Sequence, residues 1–100
     1  MSIANIHYFA DLVRTPRGGW LPSGFDSQGG EDLAVSASQV ESPPAPERAA
    51  IFRVVSTVDI RLAIGTEPDA SAEGALLIGA GRTEYFGIKP GQKVAVVGAI

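Results

Sequence analysis

The sequence predicts an all-β fold: a small antiparallel β-sandwich or barrel over residues about 50–100, preceded by an extended Gly/Pro-rich N-terminal arm that carries one short strand. Three observations lead there. Between Phe52 and Ile64 the even positions are Phe52, Val54, Ser56, Val58, Ile60, Leu62 and Ile64, while the odd ones include Arg53, Thr57, Asp59 and Arg61. That period of two marks a sheet with one wet face. Turn residues then recur at intervals of about ten positions, the spacing of short strands in sandwiches and barrels. Finally, 12 glycines and 7 prolines in 100 residues leave few runs in which a helix could grow.

Taken in order, Ile3 to Val13 fits two spacings. Ile6, Phe9, Ala10 and Val13 lie on one helical face, and Ile6, Tyr8 and Ala10 alternate as in a strand. Thr15-Pro16 stops either element, because the residue before proline is pushed towards extended geometry. Residues 15–48 contain Thr15-Pro16-Arg17-Gly18-Gly19, Pro22-Ser23-Gly24, Ser27-Gln28-Gly29-Gly30 and Ser42-Pro43-Pro44-Ala45-Pro46, all turn and extended-chain signals. Glycine has a high ordering entropy and proline lacks a donor, so such a segment is expected to order on other surfaces. Within it, Leu33 to Val40 alternates Leu33, Val35 and Ala37 with polar or small residues, predicting one short strand that pairs with the C-terminal sheet or with a partner subunit. The chain is accordingly read as an arm with loops over 1–48, ordered by partner subunits, and a compact β domain over 49–100.

In the second half, the run from Ile51 to Ile64 is roughly twice a common strand length, so a break near Ser56-Thr57 is expected. Gly65 to Ala70 supplies turn chemistry, Ala75 to Ile78 a short apolar strand, and Gly79-Ala80-Gly81-Arg82 a hairpin turn. Glu84 to Ile88 is the next strand. Pro90 and Gly91 suit the central positions of a type II turn, and Lys93 to Val97 is apolar on both faces, hence central or covered by another chain.

Composition narrows the function. With 45% apolar and 19% charged residues the chain folds, and with no cysteine it has neither disulfides nor thiolate ligands. The net charge of -3, without a basic run, is unlike a nucleic-acid surface. No apolar stretch is long enough to span a bilayer, and residues 1–20 lack the pattern of a signal peptide, so a soluble protein made in the cytoplasm is expected. The six acids of residues 1–50 against three bases, compared with five of each in 51–100, place the acidity in the first half.

No motif carries catalysis. His7 is the only histidine, no G-x-S-x-G elbow exists, and Asp26, Glu31 and Asp32 lack the alternating ligand spacing of a cation loop. Gly79-Ala80-Gly81-Arg82 lacks the Lys-Ser/Thr of a phosphate loop. No enzyme activity, metal or cofactor is expected. Trp20, with Arg14, Arg17 and Phe25 nearby, is read as an anchor of the arm, or as an aromatic and cationic platform for a sugar or protein. Tyr85 and Phe86 point to opposite faces, so one ring is expected in the core and the other against another chain. The residues expected to meet partners are Tyr8, Phe9, Arg14, Arg17, Trp20, Phe25, Leu33, Val35 and Tyr85.

The run from Phe52 to Gly65, continued by Thr66-Glu67-Pro68-Asp69-Ala70, resembles small structural proteins encoded by tailed bacteriophages. So does Ala80 to Ala95, with its short apolar loop, Glu84-Tyr85-Phe86 strand and Pro90-Gly91 turn before the last strand. The resemblance covers residues 50–98 and only scaffold features. It implies a virion structural protein, a capsid decoration or cement protein on the capsid surface, with the major capsid protein or other virion proteins as partners and a homo-oligomer, such as a trimer, as its state. Head-spike, head-completion and minor tail components, and a receptor- or carbohydrate-binding β module, are the alternatives.

Overall fold

A computed structural model describes residues 2–10, 12–14, 20–22, 27–72 and 74–99, and for 12–14, 20–22 and 27 the backbone alone. Among the described residues ten strands follow one another: β1 (Ile3–Phe9), β2 (Leu12–Arg14), β3 (Trp20–Pro22), β4 (Ser27–Ala34), β5 (Val40–Glu41), β6 (Ile51–Ser56), β7 (Ile60–Gly65), β8 (Leu76–Ile78), β9 (Thr83–Gly87) and β10 (Lys93–Gly98). No helix occurs among the described residues. The strands form two antiparallel four-stranded sheets, ordered β4-β1-β6-β9 and β5-β10-β7-β8, and a separate β2-β3 ribbon. The fold is thus an all-β sandwich with a short two-stranded insertion between β1 and β4.

Alternation builds the core. On β1 Ala4, Ile6 and Tyr8 face inward, so the extended reading of the N-terminal segment is the correct one. They meet Phe52 and Val54 of β6, Ile60 and Leu62 of β7, and Val94 and Val96 of β10 in one buried cluster. The division expected near residue 49 is consequently not a physical seam. β6 pairs with β1 from Phe9↔Ile51 to Ala4↔Ser56, and residues of both halves share the core.

The predicted break at Ser56-Thr57 is present: β6 ends at Ser56 and β7 begins at Ile60. The Pro90-Gly91 turn is present too, with Gly91 at φ 85 and the Gln92 amide donating to Lys89 O at 3.1 Å. Two local readings are corrected. The strand expected over Leu33 to Val40 is instead β4, which starts at Ser27 and ends at Ala34. Gly29 and Gly30 lie inside it because the β1–β4 register shifts between His7 and Phe9, and Gly29 takes φ 88 there. Gly79 to Arg82 is not a hairpin turn within one sheet, since β8 and β9 belong to different sheets; it carries the chain across the sandwich.

β10 sits between β5 and β7, as its two apolar faces require. Its outer face is covered by this chain's own loop. Ala70 packs with Ala63, Ala95 and Val97, and two side chains hold the loop in place. Gln39 Nε2 donates to Pro68 O at 3.0 Å while its Oε1 accepts the Ala70 amide at 2.7 Å. Arg61 donates to Ala70 O at 3.3 Å and Ala72 O at 3.0 Å.

Candidate functional site

The sandwich has two lateral sides, and they are finished differently. On the side of β4 and β5 the sheets are bolted together. The Tyr8 hydroxyl lies 3.2 Å from Glu31 Oε1 on β4 and 3.3 Å from Ser42 Oγ, just beyond β5. Ser42 Oγ also accepts the Val94 amide at 2.9 Å and donates to Pro43 O at 2.9 Å. Burial holds the Tyr8 hydroxyl above its ordinary pKa, opposed by the Ser42 hydrogen bond and reinforced by the Glu31 charge. Burial likewise raises the Glu31 carboxyl, against the lowering effect of the Tyr8 hydrogen bond. Main-chain bonds from residues 35–50 complete the closure: Val35 N to Ser2 O, Ala45 N to Gln92 O, Ala50 N to Phe9 O, and Gly98 N to Ser36 O.

This cluster holds a serine, a carboxylate and a tyrosine, but its geometry is structural. Ser42 is buried and gives its own proton to a backbone carbonyl. His7 is on the outer face of the first sheet, its ring 4.9 Å from that of Phe9, because its register partners Gly30 and Arg53 place it on the opposite face from Tyr8. Among the described residues, no group of three or more His, Cys, Asp or Glu could hold a metal ion. Nor do the described residues include a helix long and apolar enough to cross a membrane.

The side of β8 and β9 is open. Both strands end their sheets, and the four residues 79–82 that join them put the two free edges on the same side. The three exposed large apolar residues among those described all lie here: Leu76 at 41% exposure, Leu77 at 70% and Tyr85 at 45%. Register explains each. Leu76 is opposite the fully buried Leu62 and faces the rim of the core, whereas Leu77, opposite Arg61, stands on the outer face of the second sheet. Beside it runs a groove lined by Asp59, Arg61, Leu77, Gly79 and Ala99 among others. Tyr85, opposite Arg53, stands on the outer face of the first sheet, and the Arg53 Nε is buried without an acceptor among the described residues. Phe86 turns inward and packs against Phe52 with ring centroids 5.6 Å apart.

The residues expected to meet partners therefore separate. Tyr8, Phe9 and Leu33 are buried within this chain, at 3%, 7% and 6% exposure, and offer a partner almost no surface. Alternation points Tyr8 and Leu33 into the sandwich, while Phe9 shares the outer side of β1 with His7 and is covered there. Val35 is partly buried against the core. Arg14 and Trp20 are cross-strand neighbours in the β2-β3 ribbon, where only the backbone is described, and Arg17 and Phe25 lie outside the described residues. Tyr85 alone of the nine is described as an exposed ring. Leu76 and Leu77 were readable as a short apolar strand but not as surface, since strand order decides whether such a strand is central or at an edge. The chain matches no family model, no curated protein and no solved structure.

Proposed function

We propose that this chain is a structural component of a tailed-phage virion, a capsid decoration or cement protein that stabilises the head through contacts to neighbouring subunits. The observation that supports this reading is the open β8–β9 side. A protein of this size gains little by leaving Leu76, Leu77 and Tyr85 in water on two unpaired edges, and such patches serve as association surfaces. The resemblance of residues 50–98 to small phage structural proteins supports a virion as that assembly. The closed side supports the same reading, because a cement needs a body that keeps its shape while its edge is engaged. Repetition on a symmetric lattice allows each contact to be weak.

Mass spectrometry of purified particles tests this, with copy number measured against the capsid protein and capsid stability compared with and without this chain. A copy number close to that of the capsid protein, with weaker particles in its absence, supports cementing. A few copies per particle would move the chain to a vertex, spike or tail, and its absence from particles would overturn the virion reading.

A further inference from the structure

Four strands end the two sheets, and three of them carry features that discourage edge-to-edge pairing. β4 has the irregular register beside His7 and carries Glu31 and Asp32. β5 is only two residues long, includes Glu41 and runs into Ser42-Pro43-Pro44. β9 carries Glu84 opposite the fully buried Val54, an inward-pointing charge at the rim. β8, three residues long, is short as well but has no charge, no proline and no irregular register. From Gly74 to Gly81 the chain reads Gly-Ala-Leu-Leu-Ile-Gly-Ala-Gly, without a charge or a proline.

We infer that β8 pairs antiparallel with β8 of a second copy of this chain, about a two-fold axis at Leu77. The inference rests on the proposed role in an assembly and names one of its contacts. A two-fold axis sets each residue against a fixed counterpart: Leu77 against Leu77, Leu76 against Ile78, Ala75 against Gly79, and Gly74 against Ala80. The segment reads nearly the same in both directions, so large apolar residues meet each other, small residues meet each other, and no charges are opposed. A foreign strand would have to supply that same neutral, large-in-the-middle pattern. A second copy supplies it by construction.

Pairing covers Leu77, the most exposed large apolar residue among those described, with its twin on the outer face and joins two sheets of order β5-β10-β7-β8 into one of eight strands. The contact is small. It falls below the roughly 1,200 Å² of a standard stable interface, so it is weak in dilute solution and strengthens where a lattice holds copies close.

The chain has no cysteine, so Leu77→Cys places a single thiol on the axis. Opposed residues of an antiparallel pair have Cα atoms about 4.5–5.5 Å apart, within disulfide reach. In purified protein under mild oxidation, Leu77→Cys is expected to form covalent dimers about tenfold faster than Tyr85→Cys, which is exposed but off the axis. A mixture of Ala75→Cys and Gly79→Cys proteins is expected to cross-link preferentially between the two variants. A Leu77→Cys rate no higher than that of Tyr85→Cys, or no preference in the mixture, would overturn the pairing. Because the test uses isolated protein, it separates from the virion reading. Incorporation into particles without this cross-link overturns the pairing alone, and cross-linking by a chain absent from particles supports the pairing and overturns the virion role.

Discussion

The β4/β5 side and the β8/β9 side of the sandwich flank the same core, yet one is sealed by a hydroxyl–carboxylate cluster and main-chain bonds while the other leaves three large apolar side chains in water. Both sides need their inner faces buried for the domain to fold. Only one needs its outer rim for that purpose. Substitutions inside the sandwich and on the closed side should therefore register as stability, and substitutions on the open rim as association.

The largest effect is expected at Phe52, fully buried and packed against Phe86 of the open-side strand β9. Phe52→Ala should cost about 3–5 kcal/mol by chemical denaturation. A loss below about 1 kcal/mol would mean that β9 is not anchored through this ring pair. Next comes Gly30 on the closed side. A Cβ there would lie 2.6 Å from Ile6 O and 2.8 Å from His7 Nδ1, so Gly30→Ala must displace β1 or β4 and is expected to cost about 1–3 kcal/mol. Unchanged stability would show that the two strands do not approach so closely.

Tyr8→Phe removes the hydroxyl that joins Glu31 to Ser42 and should cost about 0.5–1.5 kcal/mol at neutral pH. Its pH dependence has a definite sign. With the Tyr8 pKa raised in the folded state, stability falls as pH rises above the ordinary value of 10.0, and Tyr8→Phe should lessen that fall. Glu31 has the same sign at acid pH. Its folded-state pKa is above 4.5, so the folded protein keeps a proton that the unfolded chain releases, and stability decreases as pH rises through that window. Denaturation midpoints measured across it should flatten in Glu31→Gln, and an unchanged slope would remove Glu31 from the account. The smallest effect on stability belongs to Leu77→Lys, within about 0.5 kcal/mol, because the side chain is mostly in solvent. The same substitution should abolish incorporation into particles.

Much of the body was legible because alternation over 51–64 and the Pro90-Gly91 turn are local signals, and the apolar faces of Lys93 to Val97 demanded a central strand. The first half was less legible for a physical reason. Its glycines and prolines read as loop, yet Gly29 and Gly30 belong to a strand whose irregular register accommodates them, and Ile6 and Tyr8 find their core only across the chain in β6, β7 and β10. The partner residues suffered from the same non-locality. Tyr8 and Leu33 are attractive contact residues until the sandwich closes over them, whereas Leu77 is surface because β8 ends its sheet and turns that side chain to the outer face.

Amide hydrogen exchange compared between the free protein and the protein bound to particles tests the central claim most directly. The account predicts new protection at Leu76–Ile78 and Thr83–Gly87 on binding, with Val40 to Ala45 on the closed side unchanged. Protection gained on the closed side, with β8 and β9 exchanging as before, would contradict it.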